Sequence, residues 1–358
     1  MILGGVSNNK TNLVESLNTR LNSKAIFELE TLDQKPYKDF IKDQNLTLGD
    51  NDPQMAYRKN LPEKKSIAFG QLKLLMSEIQ FLNNYWDATI HPKPIVLYIG
   101  AAPGTHIALL SKMYPSITFH LYDKPVKPIV FDEVLKNKEK IVIHEKYFED
   151  TDLKEWKNGK DWNNIFLISD IRNLSYNKEN NAQKSEKEAL EDMEIQANWV
   201  KDLNPVQSLL KFRLPYNYEW VKTKQYDYLD GLVYLQQWAP KNSTECRLVP
   251  NKPYSNRSWD FVEYEKRMAY HNNVTRIEDK FINILTEDMK PISIKLGLTN
   301  DYDSMATVFI ITEYLMKFGI ESDEEITLEV LSFIMKEVNM ERNDVFRLRN
   351  GEKFKDEE

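Results

Sequence analysis

The chain has a single cysteine, Cys246, in 358 residues. No internal disulfide can form, which fits a reducing compartment and makes the cytoplasm the expected location, including a viral factory or virion if the source is viral. No apolar run approaches the roughly 18 residues that a membrane-spanning helix needs. The opening stretch MILGGVSNNK stays apolar for too few residues to form a secretory leader. Neither feature points to a membrane partner. Positive charge is not in excess: 48 Lys and Arg face 55 Asp and Glu, a net charge of -7. That balance argues against a protein that coats nucleic acid nonspecifically, and DNA is not an expected partner. It leaves room for a local basic groove, because the field depends on where charges sit. Glycine is sparse too, at 11 residues. Neither G-x-G-x-x-G nor G-x-x-x-x-G-K-[ST] occurs, so a nicotinamide enzyme or a phosphate-cradling loop is a poor match. No segment repeats at a fixed period.

What is present is an apolar fraction of 41%, enough for a sizeable core. The mean hydropathy of -0.57 suits a chain with a well-solvated surface. Aromatic residues are plentiful, with 18 Tyr, 16 Phe and 7 Trp. Most belong in a core, and some can stack on bases. Residues 1–60 are polar and weakly periodic and read as an arm. Residues 62–88 follow helical spacing through Leu72, Leu75, Met76, Ile79 and Leu82, and Pro92 and Pro94 close the element. Strand-like runs follow at 95–99, 117–122, 141–143, 164–169, 205–213, 231–236 and 244–249. Helical patterns at 105–113 and 185–203 alternate with them. That alternation predicts an α/β domain over 61–270 with a doubly wound, mostly parallel sheet flanked by helices. The last two strands lie close enough in sequence for an antiparallel pairing. Residues 173–186 read as a polar loop. Residues 271–358 read as a helical C-terminal appendage, with apolar periodicity at 304–318 and 326–337 and a disordered tail.

The sharpest local signal is YIGAAPGTH, Tyr98 to His106, which follows the best strand and precedes a helix. Gly100 and Gly104 permit a tight turn and close approach of a ligand, and Pro103 stiffens it. In open α/β sheets such a turn sits where ligands bind. Without a pyrophosphate motif, the spacing suits an adenosine ligand such as S-adenosylmethionine. Asp123 ends the second strand about 20 residues later, where an acid would grip ribose hydroxyls.

Four further polar residues stand in or beside apolar segments: Lys73, Asp170, Lys211 and Glu245. Polar groups so placed require partners. Two lysines and two acids suit methyl transfer to a ribose hydroxyl. A lysine with a lowered pKa can take the hydroxyl proton, and acids can orient that lysine.

The segments FGQLKLLMSE, YIGAAPGTHI, LISDIR, LNPVQSLLKFRLPY, STECRLV and VEYEKRM occur in order from about residue 57 to 270. Together they resemble the poxvirus-type cap-specific mRNA 2′-O-methyltransferases, whose members also serve as the small regulatory subunit of poly(A) polymerase. The resemblance implies a Rossmann-like S-adenosylmethionine-dependent methyltransferase fold. It implies a catalytic tetrad of Lys73, Asp170, Lys211 and Glu245, with Lys211 activating the 2′-hydroxyl. It implies cofactor contacts at Gln71, Tyr98, Gly100, Ala101, Gly104, His106, Asp123, Asp170 and Arg172, with the backbone of Phe148 beside the adenine. For the cap, it matches Tyr216 to one ring of an aromatic sandwich and Glu265 to a carboxylate on the base edge. Tyr57 is assigned to the second ring from spacing. Tyr218 stands where the family has a second carboxylate, and Glu219 beside it is the substitute. The implied partners are the capped 5′ end of mRNA and a poly(A) polymerase catalytic subunit.

Arg213, Lys222, Lys224, Arg247 and Arg257 surround these motifs in sequence and form a candidate phosphate track. Two other functions remain open: 2′-O-methylation of a non-cap RNA site, and a non-catalytic polymerase subunit with a vestigial site.

Overall fold

A computed structural model of the chain describes residues 46–57, 67–124, 130–172, 182–217, 223–276, 302–318 and 329–334. Most of the predicted arm, most of the C-terminal appendage and residues Tyr218, Glu219 and Lys222 lie outside them.

Helix α1, Ile67–Tyr85, opens the described domain. Its stripe of Leu72, Leu75, Met76, Ile79 and Leu82 is at most 1% exposed. Burial of such side chains stabilises the fold by about 1.5–3 kcal/mol each. Lys73 sits just off that stripe, at the rim of the core.

Then β1 (Ile95–Ile99), α2 (Thr105–Met113), β2 (Thr118–Tyr122), β3 (Ile141–His144), α3 (Asp150–Asn158), β4 (Ile165–Ser169), α4 (Ala182–Leu203) and β5 (Gln207–Phe212) alternate as the pattern predicts. Next come β6 (Gln225–Leu229), β7 (Gly231–Tyr234), β8 (Cys246–Pro250), β9 (Asn256–Asp260), α5 (Phe261–Tyr270) and α6 (Tyr302–Lys317). Residues 329–334 are also helical.

Seven strands form one sheet in the order β3-β2-β1-β4-β5-β8-β7. The first five run parallel; β8 is antiparallel to both β5 and β7. The chain winds outward from β1 to β3, then crosses back to β4 on the other side of β1. The carboxyl ends of β1 and β4 therefore flank a switch point, the usual ligand crevice of such sheets. Register completes the placement. Ile99 pairs with Tyr122 and with Ser169, Ser169 pairs with Leu210, and Lys211 pairs with Arg247. Gly100, Asp123, Asp170 and Lys211 thus emerge together along one edge.

Two differences from the sequence reading stand out. The polar stretch read as a loop to residue 186 is helical from Ala182, and its remainder lies outside the described residues. Intrahelical Lys184–Glu188 and Lys187–Glu191 pairs and the buried Glu186 hold it there. A separate two-stranded sheet, β6 with β9, was not anticipated. Helix α6 packs on the sheet domain and shares its core: Asn83 Nδ2 donates to Ile310 O, and Tyr314 OH to Met113 O. Residues of the N-terminal segment do likewise, with Leu46 in the core and Thr47 bridged to Tyr234. Among the described residues, no helix is long and apolar enough to cross a membrane.

Candidate active site

Lys73, Asp170, Lys211 and Glu245 converge. Lys73 Nζ donates to Glu245 Oε1 at 2.7 Å. Lys211 Nζ lies 2.9 Å from Asp170 Oδ1 and 3.7 Å from Glu245 Oε2. Two arginines complete the cluster. Arg172 Nη2 donates to Glu245 Oε2 at 3.2 Å. Arg247 Nη2 lies 2.7 Å from Asp170 Oδ1 and 3.6 Å from Glu245 Oε1. Four cations face two carboxylates, an excess of two positive charges when all are ionised.

Burial disfavours the charged form of Lys211 and lowers its pKa below the ordinary lysine value; Asp170 and Glu245 oppose this, while Arg172 and Arg247 reinforce it. Burial alone would raise the Glu245 carboxyl, but Lys211, Lys73, Arg247 and Arg172 outweigh it and hold Glu245 well below the usual carboxylate range. For Asp170 the same contest ends in a lowered pKa, with Arg247 and then Lys211 prevailing over desolvation. Lys211, its own pKa lowered by burial, thus sits between two acids whose pKa values are lowered by the surrounding cations. Gln196 on α4 holds the Lys211 backbone from both sides, accepting from its N–H and donating to its carbonyl, each at 3.2 Å. A small pocket beside Lys211 is lined by Arg172, Asp192, Gln196 and Arg213.

The glycine turn abuts this cluster. Gly100 has φ +79°, and a Cβ there would meet the Asp170 carbonyl carbon at 2.8 Å. Only glycine lets the turn after β1 lie against the end of β4. Gly104, at φ +70°, leads into α2, and a Cβ on it would meet Ala101 O at 2.8 Å. Asp123 Oδ2 accepts from Ala102 N at 3.0 Å, which ties the end of β2 to the turn. Burial raises the Asp123 pKa, against the opposing backbone hydrogen bonds. An adenosine ligand fits this donor set: a bare turn for close approach and a half-buried acid beside it for a ribose diol. Phe148 is buried, its ring edge-on to Tyr122 at 5.0 Å and to Trp199 at 5.2 Å. The side chains of Gln71, Tyr98 and His106 are buried and bonded within the protein beneath the turn.

Tyr57 and Tyr216, far apart in sequence, meet with ring centroids 5.4 Å apart and planes tilted by 35°. Tyr57 OH donates to Asn242 O at 2.9 Å. The Arg213 guanidinium lies 4.8 Å from the Tyr216 centroid. Glu265 sits in the second turn of α5, whose N-terminus is capped by Asp260 through Val262 N and Glu263 N. Glu265 Oε1 accepts from Asn217 N at 3.2 Å, next to Tyr216. Glu219 lies outside the described residues.

The candidate phosphate track does not hold together. Arg247 is 2% exposed and belongs to the cluster around Lys211. Arg213 is paired with the buried Glu186 at 2.9 Å, and Arg257 with Asp50 at 2.8 Å. Lys224 donates to Asn217 Oδ1, and Lys222 lies outside the described residues. The three arginines are engaged by carboxylates of the protein.

Comparison with known proteins gives a family. The model of the poly(A) polymerase regulatory subunit family matches residues 34–340. The chain belongs to that family. A myxoma virus relative named cap-specific mRNA (nucleoside-2′-O-)-methyltransferase is 30% identical over 224 residues, 61% of this chain and 63% of its own length. A fowlpox virus relative of the same name is 30% identical over 259 residues, 69% of this chain and 78% of its own. The match thus spans less than two thirds of the myxoma protein. VP4 of bluetongue virus, described as a multifunctional RNA-capping production line, overlaps 65% of this chain and 37% of its own at 14% identity and a TM-score of 0.41, too loose to bear on the chemistry.

Within this family frame, sequence reasoning missed three buried ionic residues. Arg247 was read as part of a phosphate track, although its position among the apolar residues of CRLVP is a signal for a buried cation. Glu186 carries no such signal, since it stands in a helix that also displays charge to solvent, whereas Glu78 is a lone acid in an otherwise apolar stretch.

Proposed function

We propose that this chain transfers a methyl group from S-adenosylmethionine to the ribose 2′-hydroxyl of the first transcribed nucleotide of capped mRNA. The observation that carries the reading is Lys211, buried between Asp170 and Glu245 with its pKa lowered. S-adenosylmethionine, when bound, supplies a methyl group made electrophilic by its sulfonium. The chain supplies everything else. Lys211, in its neutral form, would take the hydroxyl proton, with the methyl group passing from sulfur to the ribose oxygen and S-adenosylhomocysteine left behind. Asp170 and Glu245 aim the Lys211 nitrogen, and their charge favours the ammonium it becomes. Lys73 and Arg172 hold Glu245 in place. Gly100, Gly104 and Asp123 would hold the adenosine half of the cofactor beside Lys211. Tyr57 and Tyr216 grip the cationic methylated guanine of the cap, and Glu265 bonds its edge.

The family's description favours one second reading, a regulatory subunit that acts by binding a poly(A) polymerase catalytic subunit. Labelled methyl transfer to short RNAs, capped and uncapped, tests both with wild type and Lys211→Met. Label on capped RNA from wild type alone is the expected result. Equal label from both proteins removes the proposed chemistry. Equal label on uncapped RNA moves the target away from the cap. No label from wild type, with polymerase binding intact, leaves the regulatory reading.

A further inference from the structure

Glu78 is 1% exposed, deep beneath the glycine turn, and plays no part in the reaction described above. It stands on α1, five residues after Lys73. Its Oε1 accepts from Tyr98 OH at 2.7 Å and faces His106 Nε2 at 3.0 Å. Tyr98 is the penultimate residue of β1, before the turn, and His106 lies in the first turn of α2, after it. Both are 1% exposed. On the same helix, Gln71 Oε1 accepts from the His106 backbone N–H at 3.2 Å and meets His106 Nδ1 at 2.7 Å. Thus α1 grips the turn from both ends.

The hydrogen count is informative. Gln71 presents its oxygen to the His106 backbone N–H, so Nδ1 must be the donor in its own contact with that oxygen. Nε2 then faces a carboxylate oxygen, and one hydrogen must lie between them, carried by the ring or by Glu78. Glu78 Oε2 has no hydrogen-bond partner among the described residues. A carboxylate buried this way is a costly means of stabilising a fold, because well-packed apolar groups do as well or better. Its geometry suits a different task.

We propose that Glu78 is a positioning residue that locks the glycine turn to the helix bearing Lys73, so that the cofactor pocket and the reacting cluster keep a fixed separation. The functional part of this inference rests on the turn holding the cofactor, as proposed above. It makes α1 a common base for both halves of the site. Lys73 reaches Glu245 from one end of the helix, and Glu78 secures the turn from the next turn and a half.

The substitution Glu78→Gln provides the discriminating control. After a small rotation, the new amide oxygen accepts from Tyr98, and the amide N–H supplies the hydrogen shared with His106. Glu78→Ala supplies neither. Binding of S-adenosylhomocysteine to the full chain, measured by calorimetry, is expected to weaken about tenfold or more in Glu78→Ala and to stay within about threefold of wild type in Glu78→Gln. The KM for capped RNA is expected to hold in both variants. Hydrogen exchange of amides 100–106 is expected to quicken in Glu78→Ala and not in β5 or β8. Wild-type affinity in Glu78→Ala, equal loss in both variants, or an equal rise in the RNA KM overturns the proposal. If wild type binds no cofactor analogue, the proposed function falls and exchange of the turn alone decides on the lock. If Glu78→Ala does not fold, Tyr98→Phe takes its place: faster exchange of the turn supports the lock, and unchanged exchange overturns it.

Discussion

Two regions proposed to serve one reaction differ in how complete they are. Around Lys211, six ionisable side chains already touch one another. Around Tyr216, two rings lean together with centroids 5.4 Å apart. A base sandwiched between two rings needs roughly 7 Å, two aromatic contacts of about 3.5 Å each. On the proposed reading the chemical machinery is prebuilt, and the proposed recognition site opens by about 1.5 Å or more before it grips. Ionic groups cannot wait unpaired inside a protein, whereas aromatic rings can rest against each other at little cost. The contrast predicts that damage near Lys211 appears in turnover and damage near Tyr216 in substrate binding.

The largest effect that can break this contrast is at Lys211. Lys211→Met is expected to reduce the rate of methyl transfer about 10³-fold, with cap affinity unchanged, as single-turnover and filter-binding measurements would show. Next is pH. Burial favours the neutral amine, so the rate should climb as pH rises and level off below 10.5, the ordinary lysine value. A rate without an acid limb, down to where the protein itself unfolds, would remove Lys211 as the base. Stability follows from Glu245. Its folded pKa lies well below 4.5, so its stabilising contribution is complete above that value and is lost as pH falls beneath it. Thermal melts across that range should show the loss, and Glu245→Gln should flatten it. At the recognition site, Tyr216→Ala removes one stacking face, worth about 1–3 kcal/mol. The KM for capped RNA should rise about tenfold while kcat stays within about threefold. The smallest change is Tyr57→Phe, which keeps the ring and loses the bond to Asn242, worth about 1 kcal/mol. It eases opening, so that KM should fall by up to about fivefold. A rise would mean that the hydroxyl serves the bound base instead.

The parts of the fold legible in sequence were those built from continuous apolar runs. β1, β4 and β5 are buried on both faces, and such strands read as solid hydrophobic blocks. β6 and β9, QYDYL and NRSWD, are half exposed and polar, so they left no such block. The start of α4 was hidden because a solvated helix and a polar loop share a composition until the i,i+4 ion pairs are considered. In the site, Lys211 and Asp170 were visible because charge at the end of an apolar strand is conspicuous. The role of Glu78 was invisible because its partners, Tyr98 and His106, approach from other elements that only the folded chain brings near. Tyr57 came from spacing alone, and its contact with Tyr216 spans 159 positions of sequence.

Cys246 follows Glu245 directly, lies wholly inside against Met268, and burial pushes its thiol up to about 12. A thiol so shielded and so weakly acidic ignores alkylating reagents while the strand stays paired. Because the chain has no other sulfhydryl, the rate of labelling becomes a clock for the opening of that one strand. The residue that forbids an internal crosslink thereby offers a native reporter one peptide bond from the reacting cluster, with no engineered probe required.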